Sequence, residues 1–393
     1  MPLRSNMAKR EITTADVPKI KPRKYFDADF PLLVLTLLLT LFGLLMVFSA
    51  SYYYAISKTG NPYTFLINDL MWKTLGWIVF VFLANFDYHR ISKYSVIVII
   101  VGFVLLCLIF TPLGKTINNA TRWLDFKIFT VMPGEVAKTC IILFLAWFYA
   151  SDPGRIKRWK DGHFIVLGIT GVYFALILAQ PNLSTAGLVV LLVLGIMLIA
   201  GLAWYWFVLM IGVGAGAFVI AVMMPRGAYM MERIQTFFDP FKDALGSGYQ
   251  VVQSLLALGS GGLTGVGLGK SIQKTLYLPE PQSDFILAII GEELGYIGVV
   301  LLMLVYMMLI WRCIKVAIEA PDFYGSLLAG GIALHLGLQV LLNIAVVSAS
   351  FFPTGVVLPF VSLGGNATIL YLAEMGIAFN ISKQVRPSEE DTL

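Results

Sequence analysis

The chain is short of charge. Asp, Glu, Lys and Arg make up only 13% of its 393 residues, against roughly 25% in an ordinary soluble domain. Cys and His are scarce too, with three of each. Cys107, Cys140 and Cys313 fall within or at the ends of apolar runs, where free thiols are expected and a disulfide framework is not. His89, His163 and His335 lie far apart with no second ligand at metal spacing, which argues against a zinc or haem site. A formal net charge of +5 is too small for this length to point to nucleic acid. A nucleotide loop is missing as well, although "GVGLGKS" ends like one. Five residues back from Gly269 stands Thr264, where G-x-x-x-x-G-K-[ST] requires glycine, and no strand precedes it. Gly265, Gly267 and Gly269 also miss the dinucleotide fingerprint.

What the chain has is hydrophobicity, 58% of its residues with a mean hydropathy of +0.82, so its natural solvent is a bilayer. Apolar runs near 31–52, 68–85, 94–112, 134–151, 163–180, 185–201, 203–224, 284–311, 325–350 and 357–380 predict about ten helices of membrane-crossing length. The expected fold is an all-α polytopic membrane protein. Residues 1–30 form a basic tail with no cleavable signal pattern, 31–380 the transmembrane domain, and 381–393 a second tail. The two tails and the loops 86–93, 152–162 and 312–322 hold 17 of the 28 Lys and Arg. The positive-inside rule therefore makes both termini cytoplasmic. Residues 225–283, between the seventh and eighth helices, become a large extracytoplasmic loop.

That loop gathers the polar chemistry. Gly246, Gly248, Gly259, Gly261, Gly262, Gly265, Gly267 and Gly269 permit tight turns and close approach of backbone to a ligand or helix. "GYQVVQSLLALG" reads as a short amphipathic helix on the outer leaflet, and a plain flexible connector is the bland alternative. In "YLPEPQSDF" Ser283 is placed to cap the eighth helix and Asp284 falls in its first turn. Burial would raise the Asp284 pKa, while the helix N-terminus and cations would lower it. An ionised but poorly hydrated Asp suits a general base; simple capping is the other reading. Arg226, Arg233, Lys242, Lys270 and Lys274 share the loop, and Arg122 stands beside Trp123 in the outer loop "NNATRWLDF". With glycine N–H groups they could cradle a diphosphate, or each could simply be solvated. Glu135, Lys138, Glu292, Glu293 and Glu374 lie at membrane depth, where ionisable side chains are functional candidates by default. His335, Gln339 and Asn343 form an i, i+4, i+8 stripe that either lines a cavity or bonds neighbouring helices.

Residues 28–380 resemble the SEDS family of shape, elongation, division and sporulation proteins. The resemblance rests on "GYQVVQSLLALGSGGLTGVGLGKSIQKTLYLPEPQSDFILAIIGEELGYIG" (248–298), with "MVFSAS", "RWL", "QPNLSTA", "FFDP" and "LPFVSLGG" in support. Within the family the chain looks most like the FtsW/SpoVE branch. The resemblance implies a peptidoglycan glycosyltransferase that polymerises lipid II during cell division. It maps the family's essential Asp onto Asp284, as the base acting on the acceptor GlcNAc 4-hydroxyl in an inverting displacement that releases undecaprenyl pyrophosphate. Arg122, Lys138, Lys270, Lys274, Glu292 and Glu293 are the candidate substrate-binding residues. It further implies a class B penicillin-binding protein, a single-span transpeptidase, as partner among other divisome proteins, and a place in the bacterial cytoplasmic membrane at the septum. No protein metal site is expected; Mg²⁺ or Mn²⁺ is compatible with diphosphate chemistry, but no ligand cluster points to either. Gly134, Asn182, Ser184, Leu363, Asn366 and Ala367 depart from the family pattern. A lipid II flippase centred on the intramembrane charges, and a non-catalytic division scaffold, are the competing functions.

Overall fold

A computed structural model describes residues 28–117, 120–127, 129–223, 237–246, 248–352 and 354–385. The tail 1–27, Arg226, Arg233 and residues 386–393 lie outside the described residues. Each predicted apolar run coincides with a helix. In chain order these are α1 (Phe30–Thr59), α2 (Thr64–Asn85), the short α3 (Tyr88–Ser92), α4 (Ser95–Leu108), α5 (Pro133–Ser151), α6 (Phe164–Leu178), α7 (Leu183–Ile199) and α8 (Trp204–Met223). After the loop come α9 (Tyr249–Gly261), α10 (Ile286–Glu319), α11 (Phe323–Val347) and α12 (Gly365–Ser382). Six helices of the described chain are long and apolar enough to cross a membrane. The ends follow local chemistry. Asp29 caps α1 through the Leu32 N–H at 3.0 Å, and Gly60, at φ 73°, ends it. Asp322 caps α11 through the Gly325 N–H at 2.7 Å.

The middle of the bundle is α5, whose best apolar window is 78% buried; the corresponding figure for α2 and α10 is 22%, because each shows a broad face to lipid. Around α5 pack α4, α7, α11 and α12, while α12 lies along α2 and α10 along α11. The all-α expectation fails in one place. The loop after α4 folds as a three-stranded antiparallel sheet, β1 (Gly114–Ile117), β2 (Ala120–Asp125) and β3 (Thr130–Val131), ordered β1-β2-β3. Period-2 alternation puts Arg122 and the fully buried Leu124 on one face of β2 and Trp123 on the other.

The glycines of the large loop serve a backbone contact. Helix α10 is broken at Gly295 (φ 70°, ψ −172°), which exposes peptide groups that must find partners away from water. The segment 262–267 supplies them. Val266 and Gly267 donate N–H groups to the Glu292 and Glu293 carbonyls, both at 3.0 Å, and Tyr296 and Ile297 donate back to the Gly262 and Leu263 carbonyls at 2.9 and 3.1 Å. A side chain at Gly295 would lie 2.3 Å from the Gly265 nitrogen, and one at Gly265 would lie 2.2 Å from the Glu293 carbonyl oxygen. Close approach to another helix is therefore the reading realised here. The amphipathic helix α9 is present too, and it packs on α10, with the Ser254 hydroxyl donating to the Val347 carbonyl at 2.8 Å.

Candidate active site

Asp284 stands two residues before α10, outside the first turn where the sequence puts it. The cap position is Phe285, with no side-chain capping bond. Ser283 is therefore not the cap. Among the described residues the Asp284 carboxyl accepts no hydrogen bond. Its backbone carbonyl does, from the Asn343 amide of α11 at 3.0 Å, and the same amide donates to the Val356 carbonyl at 2.6 Å. One side chain thus staples the segment before α10 to the segment after α11. A second staple runs from the Leu363 N–H to the Gln282 carbonyl at 2.9 Å.

Across Gly355 stands the guanidinium of Arg122. A methyl group added at Gly355 would lie 3.2 Å from Asp284 Oδ2 and 3.9 Å from Arg122 Nη1. Arg122 Nη2 donates to the Pro181 carbonyl, which anchors the group from behind. Asp284 is half-buried as a residue, so the recess it lines is not sealed within the protein. Its pKa is pushed up to about 7. Burial is the largest cause, the Glu280 carboxylate adds to it, Arg122 opposes it, and Glu135 raises it slightly further. The balance that the sequence leaves open falls on the side of burial, giving a carboxyl poised near neutrality.

Beneath the recess the intramembrane polar residues are paired. Lys138 donates to Glu135 at 2.8 Å and to the Gln339 side-chain oxygen at 3.1 Å, and the Tyr371 hydroxyl donates to Glu135 at 3.4 Å. One turn deeper, Glu374 accepts from Thr139 at 2.7 Å and lies 2.9 Å from His335 Nδ1. The predicted stripe is real, and each member bonds a different neighbour: His335 to Glu374, Gln339 to Lys138 and the Val357 carbonyl, Asn343 to the two carbonyls above. Lys138 is fully buried and its partner Glu135 is buried too, though Glu135 lies near enough to Asp284 to act on it electrostatically.

The other candidates lie on the far side of α10. Glu292 accepts from the Ser271 hydroxyl and from the Ile272 and Gln273 N–H groups at 2.8 and 3.3 Å. Glu293 takes the Lys274 ammonium at 2.6 Å and the Ser49 hydroxyl at 2.7 Å, and the lysine also donates to Ser49 at 3.0 Å. All three charged groups are buried, and they clamp the glycine loop to α10 and α1. Lys270 is exposed. Beside Lys274 lies a groove of about 420 Å³, walled by Leu45, Phe48, Tyr52 and Leu268.

Three participants escaped the sequence reading. Glu280 was in the quoted motif and Asn343 in the polar stripe, but neither was tied to Asp284. Gly355 ends the "PTG" that precedes "LPFVSLGG" and supports the same resemblance, but it carries no chemical signal of its own. Three of the six departures from the family pattern have local contacts that account for them. Asn182 caps α7 through the Thr185 N–H at 3.3 Å, Gly134 leaves room for the Thr185 methyl group, and Asn366 donates to the Thr130 carbonyl.

The cell cycle protein family model of FtsW, RodA and SpoVE matches residues 30–387. Stage V sporulation protein E of Bacillus subtilis (strain 168) is 39% identical over 364 residues, covering 92% of this chain and 99% of that protein. A probable peptidoglycan glycosyltransferase FtsW of Geobacter sp. (strain M18) is 38% identical over 365 residues, 93% and 99% of the two chains. Among solved structures, a chain from work on the coordination of polymerization and crosslinking by a peptidoglycan synthase complex superposes with a TM-score of 0.74 at 26% identity, covering 91% of this chain and 98% of that one. The rod shape determining protein RodA of Thermus thermophilus gives 0.67 at 25% identity, covering 92% and 98%.

Proposed function

The chain belongs to the FtsW/RodA/SpoVE family of cell cycle proteins, and from that premise we propose that it is a peptidoglycan glycosyltransferase that polymerises lipid II at the outer face of the bacterial cytoplasmic membrane during division. The proposed topology is ten crossings with both termini cytoplasmic. That arrangement follows from the distribution of Lys and Arg and sets the recess of Asp284 on the extracytoplasmic side.

Asp284 is the general base. A base works best with a pKa near the working pH, and a carboxyl at about 7 meets that requirement where an ordinary carboxyl would be too weak. It removes the proton of the acceptor GlcNAc 4-hydroxyl as that oxygen attacks the anomeric carbon of the donor strand. The bond from that carbon to the diphosphate breaks on the opposite face, its electron pair leaving with undecaprenyl pyrophosphate, so the configuration inverts. Arg122, with Lys270 from the loop, meets the growing negative charge of the leaving group; in a water-poor recess such contacts are worth several kcal/mol. Lys138 holds Glu135 within electrostatic reach of Asp284. Lys274, Glu292 and Glu293 hold the loop that forms one wall, and the groove beside Lys274 suits a hydrocarbon chain, since its one cation is already neutralised. The solved relative from a peptidoglycan synthase complex supports a class B penicillin-binding protein as partner, taking the new strand for crosslinking.

The observation that carries this reading is the half-buried Asp284, whose carboxyl has no hydrogen-bond partner among the described residues, set across Gly355 from Arg122. Its test is strand synthesis from fluorescent lipid II by the purified protein with its transpeptidase partner. Asp284→Ala should cut the rate by about 10³-fold while elution and melting stay as in the wild type. Strand synthesis by Asp284→Ala at the wild-type rate would end the proposal.

A further inference from the structure

Gly355 is exposed, and its φ lies outside the left-handed region, so the backbone there would accept any residue. What a side chain would cost is space. The nearest atoms are the carboxylate oxygen of Asp284 at 3.2 Å and the Arg122 nitrogen at 3.9 Å. An acid and a guanidinium this near would normally close into an ion pair, yet among the described residues these two form none. Each is held back. Arg122 is anchored to the Pro181 carbonyl, and the Asp284 backbone is anchored to Asn343, whose second bond fixes Val356, the residue after Gly355. The gap between opposite charges is therefore built and kept open by neighbours on both sides.

We propose that the space above Gly355 is the seat of the acceptor oxygen, and that Gly355 is a specificity-determining residue because any side chain there would take up the room that oxygen needs. This rests on the reading of Asp284 as the base. A Cβ at Gly355 would sit 3.2 Å from Oδ2, so it would fill the approach by which a hydroxyl comes within hydrogen-bond reach of that oxygen, the contact needed for proton transfer. The occupant class follows from the two borders. Toward Asp284 the group must present a donor, and toward Arg122 an electron-rich face. A sugar hydroxyl does both; a bare diphosphate oxygen has no proton to offer Asp284. In the step the hydroxyl proton passes to Oδ2, the oxygen bonds to the anomeric carbon, and the carbon–diphosphate bond breaks toward Arg122.

The test compares wild type, Gly355→Ala and Gly355→Ser with their transpeptidase partner. The measurements are strand synthesis from lipid II and binding of a lipid II analogue lacking the GlcNAc 4-hydroxyl, which can act only as donor. Either substitution should lower kcat/KM for strand synthesis by about 100-fold, because the acceptor is displaced by roughly an ångström. Melting temperature should be unchanged, and the donor-only analogue should bind within about twofold of wild type, a split that general misfolding would not give. Wild-type rates in a folded Gly355→Ala protein would overturn the inference, as would equal loss of analogue binding and synthesis in both variants. A wild-type protein that makes no strands, in an assay where a known polymerase does, would count against the glycosyltransferase reading and not against the gap itself.

Discussion

Two acidic regions flank the start of α10, and they differ in how far their bonding is satisfied. Glu292 and Glu293 lie among the broken turns near Gly295 with every oxygen engaged, by hydroxyls, backbone N–H groups and the Lys274 ammonium. Asp284, eight residues before Glu292, has a carboxyl with no hydrogen bond among the described residues, carboxylates nearby at Glu280 and Glu135, and a cation across Gly355. Both regions pay for placing charge away from water. The first recovers that cost within the fold, which is how a structural ion pair behaves, since a buried charge without its partner is strongly destabilising. The second leaves it unrecovered until something enters the recess, and an unsatisfied polar group in a native structure points to chemistry.

The comparison breaks most sharply on exchange of roles. Glu293→Ala strands the Lys274 ammonium in a buried site and should cost about 3–5 kcal/mol, read as a large drop in melting temperature and in yield of folded protein. Asp284→Asn should leave the melt unchanged and remove synthesis. If Glu293→Ala melts like wild type, the distinction between the two regions fails.

A milder probe is pH. The working form of Asp284 is the carboxylate, and its pKa stands above the ordinary carboxyl value, so activity is gained as pH rises through about 7 and lost as it falls below. Between pH 8 and pH 6 kcat/KM should drop by about tenfold, and a flat profile over that range would contradict the raised pKa. The finest adjustment is Glu280→Gln. It deletes a negative charge that raises the Asp284 pKa, so the rising limb of the same profile should move to lower pH with the folded protein otherwise unaltered. Movement toward higher pH would show that Glu280 acts in some other way.

The spans were legible because the bilayer imposes length and hydrophobicity on each one separately; a run such as 134–151 announces Pro133–Ser151 without reference to any other segment. Less visible was the sheet at 114–131, where alternation is carried by six residues and interrupted by a bulge between Lys115 and Thr116. At the site, Asp284 and Arg122 could be singled out as residue types in outer loops. Their apposition could not, because 162 positions separate them and Gly355 between them has no side chain to advertise. Lys274 and Arg122 looked equivalent as cations until the fold neutralised one with Glu293 and, among the described residues, gave the other no carboxylate partner.

Composition and the placement of apolar runs, read alone, determined that this is a many-helix membrane protein, because transfer into hydrocarbon is a sum over local segments. Which carboxylate is a strut and which is free to take a proton was decided only by tertiary structure. Hydrogen-bond satisfaction and desolvation depend on neighbours brought from distant parts of the chain, and no local spacing encodes them.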